Sequence, residues 1–296
     1  MTVSNDPARD KWAAWVLERS HAGDDTQKER FLEYLRPIRD RVLANAGIHD
    51  GDVVLDVGTG DGLIGFGAMP LVGSGQVIFS DLSSALVEAC RAGADALDVA
   101  DHARFVQAPA DDLTPVSDGT VDVVTTRSVL IYVEDKAAAL REFHRVLRPG
   151  GRISIFEPIN NYFPWDNTEF WGFDAAPISD LVEKIWAYEG WGGDGDEDDP
   201  MMNFDERDLF RHAEDAGFTE VHLELNVDLA PGAWWEPSWE VLLGIAPNPN
   251  AHTLGESISG ALSPAEASRL EGYLRPLLEA GRSTDRSAFA YLWAVK

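Results

Sequence analysis

The chain has 296 residues, with 24 lysines and arginines against 51 aspartates and glutamates, a formal net charge of −27. That length holds one large or two small domains, and that charge argues against DNA, RNA and anionic membranes as partners while suiting solubility and cationic ligands. No run approaches the ~18 apolar residues of a membrane-spanning helix, the polar start lacks the apolar region of a signal peptide, and the lone cysteine, Cys90, fits a reducing cytoplasm and a small buried side chain.

Residues 7–46 read as helices, with Leu32, Leu35, Ile38 and Val42 at helical spacing and Pro37 as a kink. They belong to a helical lid over 1–49, in which His21 and Asp24 are candidates to fold over a ligand. The core is expected over 50–158. It opens with Val53-Val54-Leu55-Asp56-Val57, an apolar run of the kind that makes a buried parallel strand. In Gly58-Thr59-Gly60-Asp61-Gly62 the alternate glycines let the backbone turn sharply and approach a ligand. A helix starting at Leu63 aims its first N–H groups at the same point. A dinucleotide fingerprint needs a glycine at the sixth position, which here is Leu63, so that reading fails.

Gln76-Val77-Ile78-Phe79-Ser80-Asp81 reads as a second strand, its acid 25 residues after Asp56. That distance suits a bidentate hold on ribose hydroxyls, although Asp81 could instead cap the helix that begins near Ser83. A third strand over 103–107 leads to Ala110-Asp111-Asp112. A fourth over 121–126 leads to Arg127-Ser128-Val129-Leu130-Ile131-Tyr132-Val133. A helix over 135–147, stopped by Pro149-Gly150-Gly151, and a strand ending in Glu157 complete the core. His144 lies on the apolar side of that helix and reads as a packed histidine rather than a base.

A cap insertion over 159–203 is rich in aromatics. Its acidic run 193–199 lacks the spacing of a calcium loop and reads as a solvated loop. A core helix and strand occupy 204–229. A second cap insertion covers 230–286, with a capping box at Ser263-Pro264-Ala265-Glu266. The final core strand lies in 287–296.

Asp56-x-Gly58-x-Gly60-x-Gly62, the acid-tipped strand at Asp81, the Ala110-Asp111 pair, the 121–133 segment and Arg145-Val146-Leu147-Arg148-Pro149-Gly150-Gly151 follow one another in order. This series resembles the successive motifs of the class I S-adenosylmethionine-dependent methyltransferases over roughly residues 50–158. The best likeness is to the small-molecule branch that includes quinone C-methyltransferases. The resemblance implies an α/β fold: a Rossmann-like, seven-stranded, mostly parallel sheet with helices on both faces, its last strand antiparallel, plus helical and aromatic-rich lid insertions. It implies S-adenosylmethionine as cofactor and assigns cofactor contacts to Asp56, Gly58, Thr59, Gly60, Gly62, Asp81, Leu82, Ala110, Asp111 and Arg127. In that family an acid at the tip of the third strand accepts a hydrogen bond from the adenine amino group, and Asp111 is favoured over Asp112. Asp56 either touches the ligand or holds the loop through backbone N–H groups.

None of the ten tryptophans lies within 50–158. The aromatic additions either pack a lid or wall an apolar pocket whose rings could also face the sulfonium. The implied reaction is in-line displacement at the cofactor methyl group by an O, N or C nucleophile of a small, apolar or aromatic molecule. The sulfonium is already a strong methyl donor, so the protein mainly positions the partners and excludes water. Catalytic candidates at the carboxyl ends of the strands are Arg127, Tyr132 and Glu157, with Asn160 beside them. Arg127 could pair with a substrate carboxylate or enolate, or only with a local acid. Glu157 could be a base, a hydrogen-bond acceptor or a structural anchor. No divalent-metal constellation accompanies the motifs, and no metal is expected. The alternatives are a non-methylating reaction such as cyclisation, with the cofactor structural, and a non-catalytic binding module; a homodimer is compatible with the aromatic lid.

Overall fold

The computed structural model describes residues 10–163, 167–191, 198–232 and 237–296. In chain order the strands are β1 (Val53–Val57), β2 (Gln76–Asp81), β3 (Ala103–Gln107), β4 (Val121–Arg127), β5 (Leu147–Pro158), β6 (Glu169–Phe170), β7 (Phe173–Asp174), β8 (Thr219–Pro231) and β9 (Thr284–Val295). Seven of them form one sheet in the order β3-β2-β1-β4-β5-β9-β8, and β6 pairs with β7 in a separate hairpin. Strands β1 to β5 are parallel, and β9 runs antiparallel to both of its neighbours, β5 and β8. This is the expected Rossmann-like sheet with its late antiparallel strand.

The helices are α1 (Lys11–Ala14), α2 (Asp25–Ala46), α3 (Leu63–Val72), α4 (Ser84–Ala96), α5 (Lys136–Val146), α6 (Ser179–Glu189), α7 (Glu206–Ala216), α8 (Trp239–Leu243), α9 (Leu254–Ala261) and α10 (Pro264–Glu279). Strands β1 and β4 are buried on both faces and carry valines and a leucine, interrupted by Asp56 in β1 and by Asp122, Thr125 and Thr126 in β4. Alternate residues feed two cores. Val54, Val77, Phe79 and Val123 meet Leu35, Ile38 and Val42 of α2 and Ile64 and Ala68 of α3. Leu55, Ile78, Val124 and Ile153 meet Leu140 and Phe143 of α5 and Leu209 of α7. Pro37 sits on the exposed side of α2, and the helix continues through it.

The inserted segments share a third core. Phe170 and Phe173 of the β6–β7 hairpin and Leu181 and Ile185 of α6 pack with Trp239, Leu242, Leu254, Ile258, Leu270 and Leu274 of α8, α9 and α10. Residues from both sides of β8 therefore build one cap. The strand order reverses between β1 and β4, and the carboxyl ends of these strands open the crevice where such sheets bind ligands. No helix of the described residues is long and apolar enough to cross a membrane.

Candidate active site

The loop after β1 holds Gly58, Gly60 and Gly62 at φ of +63°, +59° and +90°, a region that glycine enters without steric cost. A Cβ on Gly58 would lie 2.2 Å from Val129 Cγ2, and one on Gly62 2.4 Å from the Phe66 ring. A Cβ on Gly60 would meet only Val16, at 3.9 Å. The middle glycine thus faces the N-terminal segment across open space. Asp56, buried at the end of β1, accepts from the Thr59 hydroxyl at 2.7 Å, from Gly65 N–H at 2.9 Å and from the Thr125 hydroxyl at 3.0 Å. Of its two possible roles, loop-holding is the one this geometry displays. Burial pushes its carboxyl up to about 6, against the opposing pull of those bonds. Cys90 lies buried beneath the loop, donating to the Gly60 carbonyl at 3.3 Å, and burial pushes its thiol up to about 12.

At the tip of β2, Asp81 accepts from Gly60 N–H at 3.0 Å and from Ser83 N–H at 2.9 Å. The α4 cap is Ser83, whose hydroxyl oxygen accepts from Leu86 N–H, so Asp81 is left on the cleft rim. Burial, with Asp10 as a like-charged neighbour, holds the Asp81 carboxyl up at about 6. Leu82 beside it is half-buried, its carbonyl accepting from Gln107. Beyond β3, Ala110 is buried and both acids after it are exposed. Asp112 is bound to the backbone and hydroxyl of Thr114; the Asp111 carboxylate makes no hydrogen bond among the described residues. Ser80 and Thr126 stand in register on either side of Val57, and both hydroxyls are buried without a partner.

The turn after β4 is built on Glu157. This fully buried carboxylate accepts from Val129 N–H at 3.0 Å, Leu130 N–H at 2.9 Å and Ile131 N–H at 3.1 Å. Of the roles open to it, anchoring the turn is the one these hydrogen bonds describe. Burial pushes it up to about 7, against the pull of the three N–H groups. Arg127 ends β4 half-buried, with one long contact to the Ser128 hydroxyl at 3.5 Å and no ion pair among the described residues. Burial lowers its pKa, while Asp61, Tyr132, Asp56 and Glu157 nearby oppose that shift. Tyr132 packs edge-on against Trp12, with ring centroids 4.9 Å apart. Burial raises its phenol, which keeps the hydroxyl protonated as a hydrogen-bond donor.

The N-terminal segment spans the crevice. Asp10 caps α1 through Trp12 and Ala13 N–H and accepts a hydrogen bond from the Ser83 hydroxyl at 2.5 Å. On the other side, Trp15 Nε1 donates to the Ala246 carbonyl at 2.8 Å, and Arg19 reaches Glu256 at 2.8 Å. His21 is buried, its Nδ1 3.2 Å from the Ser20 hydroxyl, and burial lowers its pKa and keeps the ring neutral. Asp24 is the N-cap of α2, bound to Gln27 N–H. His144 is packed edge-on to Phe218, away from this crevice, and Asn160 is exposed after β5. The acidic run 193–199 falls largely outside the described residues, as do Trp165, Trp234 and Trp235.

Some contributors escape sequence reasoning. Asp10 lies in a polar start with no motif. Lys136 is buried at the first position of α5 and donates to the carbonyls of Val133 and Pro200 and to Asn203. A lysine where the helix dipole disfavours a cation is the signal that could have found it.

The N-terminal segment also borders a cavity of about 290 Å³. Its walls come from Trp15, Ser20 and Phe31 of the N-terminal region, Trp171 at the β6–β7 tip, residues 245–247 of the cap and residues 283–285 at the start of β9.

Residues 55–155 match the family model described as a methyltransferase domain. The chain is 38% identical over 118 residues to the ubiquinone/menaquinone biosynthesis C-methyltransferase UbiE of Marinomonas sp., a match covering 39% of this chain and 46% of that protein. It is 30% identical over 190 residues to the protein of the same name from Klebsiella pneumoniae, covering 60% of this chain and 70% of the relative. It spans about half the length of several of the curated relatives it matches. The fold is similar to that of the YcgJ protein of Bacillus subtilis (TM-score 0.56, 18% identity, 87% of this chain and 97% of that one). It is also similar to that of the [4+2]-cyclase SpnF (TM-score 0.54, 18% identity, 88% and 81%). The glycine loop between acid-tipped strands and the match to most of one relative's length lead to one conclusion: the chain belongs to the class I S-adenosylmethionine-dependent methyltransferases.

Proposed function

We propose that this protein transfers the methyl group of S-adenosylmethionine to an O, N or C nucleophile of a small organic molecule enclosed beneath the N-terminal segment and the cap. The observation that carries this reading is the junction of two features. A glycine loop flanked by buried acids and by the Ser80 and Thr126 hydroxyls, unpartnered among the described residues, fits an adenosyl ligand, and the N-terminal segment that faces this loop through Val16 also lines an aromatic cavity through Trp15 and Ser20. When bound, the cofactor supplies an electrophilic methyl group on a sulfonium.

Asp81 would hold the ribose hydroxyls, Asp111 the adenine amino group, and the Gly58–Gly62 backbone, tied down by Asp56, would follow the rest of the nucleoside. Leu82 and Ala110 would supply apolar contact to the adenine. Arg127, a cation without an ion pair among the described residues, suits a carboxylate, whether the cofactor's or an acceptor's. Tyr132 would donate a hydrogen bond. Glu157 acts as a positioning residue, fixing the turn that carries Tyr132. His21, beside Ser20 of the cavity wall, would orient that hydroxyl through its Nδ1. The acidic surface and single cysteine support a cytoplasmic protein acting on small molecules.

The test is cofactor titration followed by product analysis with an acceptor panel. Saturable binding and release of S-adenosylhomocysteine are expected. Acceptor turnover with bound cofactor and no S-adenosylhomocysteine would instead establish structural use of the cofactor, as in a cyclisation.

A further inference from the structure

The walls of the cavity combine three aromatic side chains, Trp15, Phe31 and Trp171, with one carboxylate, Asp285, and no lysine or arginine among the described residues. Asp285 forms no hydrogen bond through its side chain and no ion pair among the described residues. On the neighbouring strand β8, Asp228 stands opposite Ser287 and so on the same sheet face as Asp285. It too is without an ion pair, whereas Glu224, further along that face, is bridged to Arg41. In a chain whose arginines are mostly paired, Asp285 at the cavity wall and the exposed Asp228 beside it on the sheet are left without an ion pair among the described residues.

The placement of Trp171 is a separate observation. It occupies the left-handed region, φ +53°, followed by Gly172 at φ +77°, in the two-residue turn of the β6–β7 hairpin. Turns of this shape favour asparagine and glycine, and a bulky residue there is strained by roughly 1–3 kcal/mol. The strain places an indole on the cavity wall, where Gly172 meets Thr284 through a 2.7 Å hydrogen bond. Tyr34 of α2 links the two halves of the site. Its phenol, pushed up to about 12 by burial, lies in the fields of Asp285 and Asp228 on the cavity side and of Arg127 on the cofactor side.

We propose that this cavity binds an organic ammonium ion, with Asp285 as its counter-ion and the rings of Trp15, Phe31 and Trp171 as its walls. Ring faces attract a soft, weakly hydrated cation; they lack the oxygen cage that a calcium or magnesium ion requires. The inference rests on the reading of this cavity as the acceptor site and narrows it: the acceptor is an amine or carries a quaternary nitrogen.

Three isosteric probes test it by calorimetry on the full chain loaded with S-adenosylhomocysteine: choline, the neutral 3,3-dimethylbutan-1-ol and the anionic 3,3-dimethylbutanoate. Choline is expected to bind about tenfold or more tighter than the alcohol, and the carboxylate weakest. Asp285→Asn should cost choline about tenfold and leave the alcohol unchanged, and Phe31→Leu should weaken choline selectively. Equal or tighter binding of the alcohol or the carboxylate, no saturable choline binding, or an unaltered choline affinity in Asp285→Asn would overturn the proposal. Cofactor affinity is titrated separately on the unloaded full chain, and the probes are repeated there. Absence of cofactor binding in the wild type would count against methyl transfer, while the order of the three probes still decides the cation site.

Discussion

Asp81 and Glu157 are both buried carboxylates, yet they sit differently. Asp81 lies on the rim with two backbone donors, and Glu157 lies beneath a turn with three. Asp81→Ala is expected to weaken S-adenosylmethionine binding by about 1–3 kcal/mol, the scale of unmatched buried polar groups, as read by calorimetry on folded variant. Glu157→Ala strands three N–H groups and should lower stability by about 3 kcal/mol or more in urea denaturation. Glu157 also makes stability depend on pH. Its carboxyl lies at about 7 in the fold against a usual 4.5. Between those values the native state holds a proton that the unfolded chain releases, so this group's contribution falls as pH rises through the window. Thermal midpoints between these two pH values should therefore decline more steeply in the wild type than in Glu157→Gln.

The N-terminal segment is held at both ends of its span, by Asp10 on Ser83 and by Trp15 and Arg19 on the cap. Asp10→Ala removes the α1 cap, a loss of about 1 kcal/mol, together with the Ser83 contact. Faster cofactor dissociation in stopped-flow fluorescence is the expected result. The strands were legible because β1, β2 and β4 are nearly wholly buried and carry short apolar runs such as Val53–Leu55 and Val77–Phe79, and helix ends were legible because Ser263 and Gly217 carry chemistry specific to them. The cap was legible as aromatic composition and one helix start at Ser263, but not as a packed unit. Its core joins Phe170 and Leu181 to residues some 60 to 100 positions later, and no local period records such pairing. The strained Trp171 contradicts turn preference, so nothing local announces it. Glu157 looked like a possible base because its position at a strand end is visible in sequence, whereas the three N–H groups it accepts come from a turn some 26 to 28 residues earlier.

With a net charge of −27, the folded molecule repels itself more than its expanded chain does. Its thermal midpoint should climb between about 0.01 M and about 1 M salt, as the screening length shrinks from about 30 Å to about 3 Å; a flat response in scanning calorimetry would contradict this. Opposite ends of the polypeptide also converge on one place: Trp15 and Phe31 come from its beginning, Ser283 to Asp285 from its last strand. The same N-terminal segment faces the glycine loop through Val16. If an acceptor seated against that segment closes the loop's crevice, loading is ordered, donor before acceptor, with the spent nucleoside leaving last. In steady-state kinetics it should compete with fresh donor and inhibit noncompetitively against the acceptor.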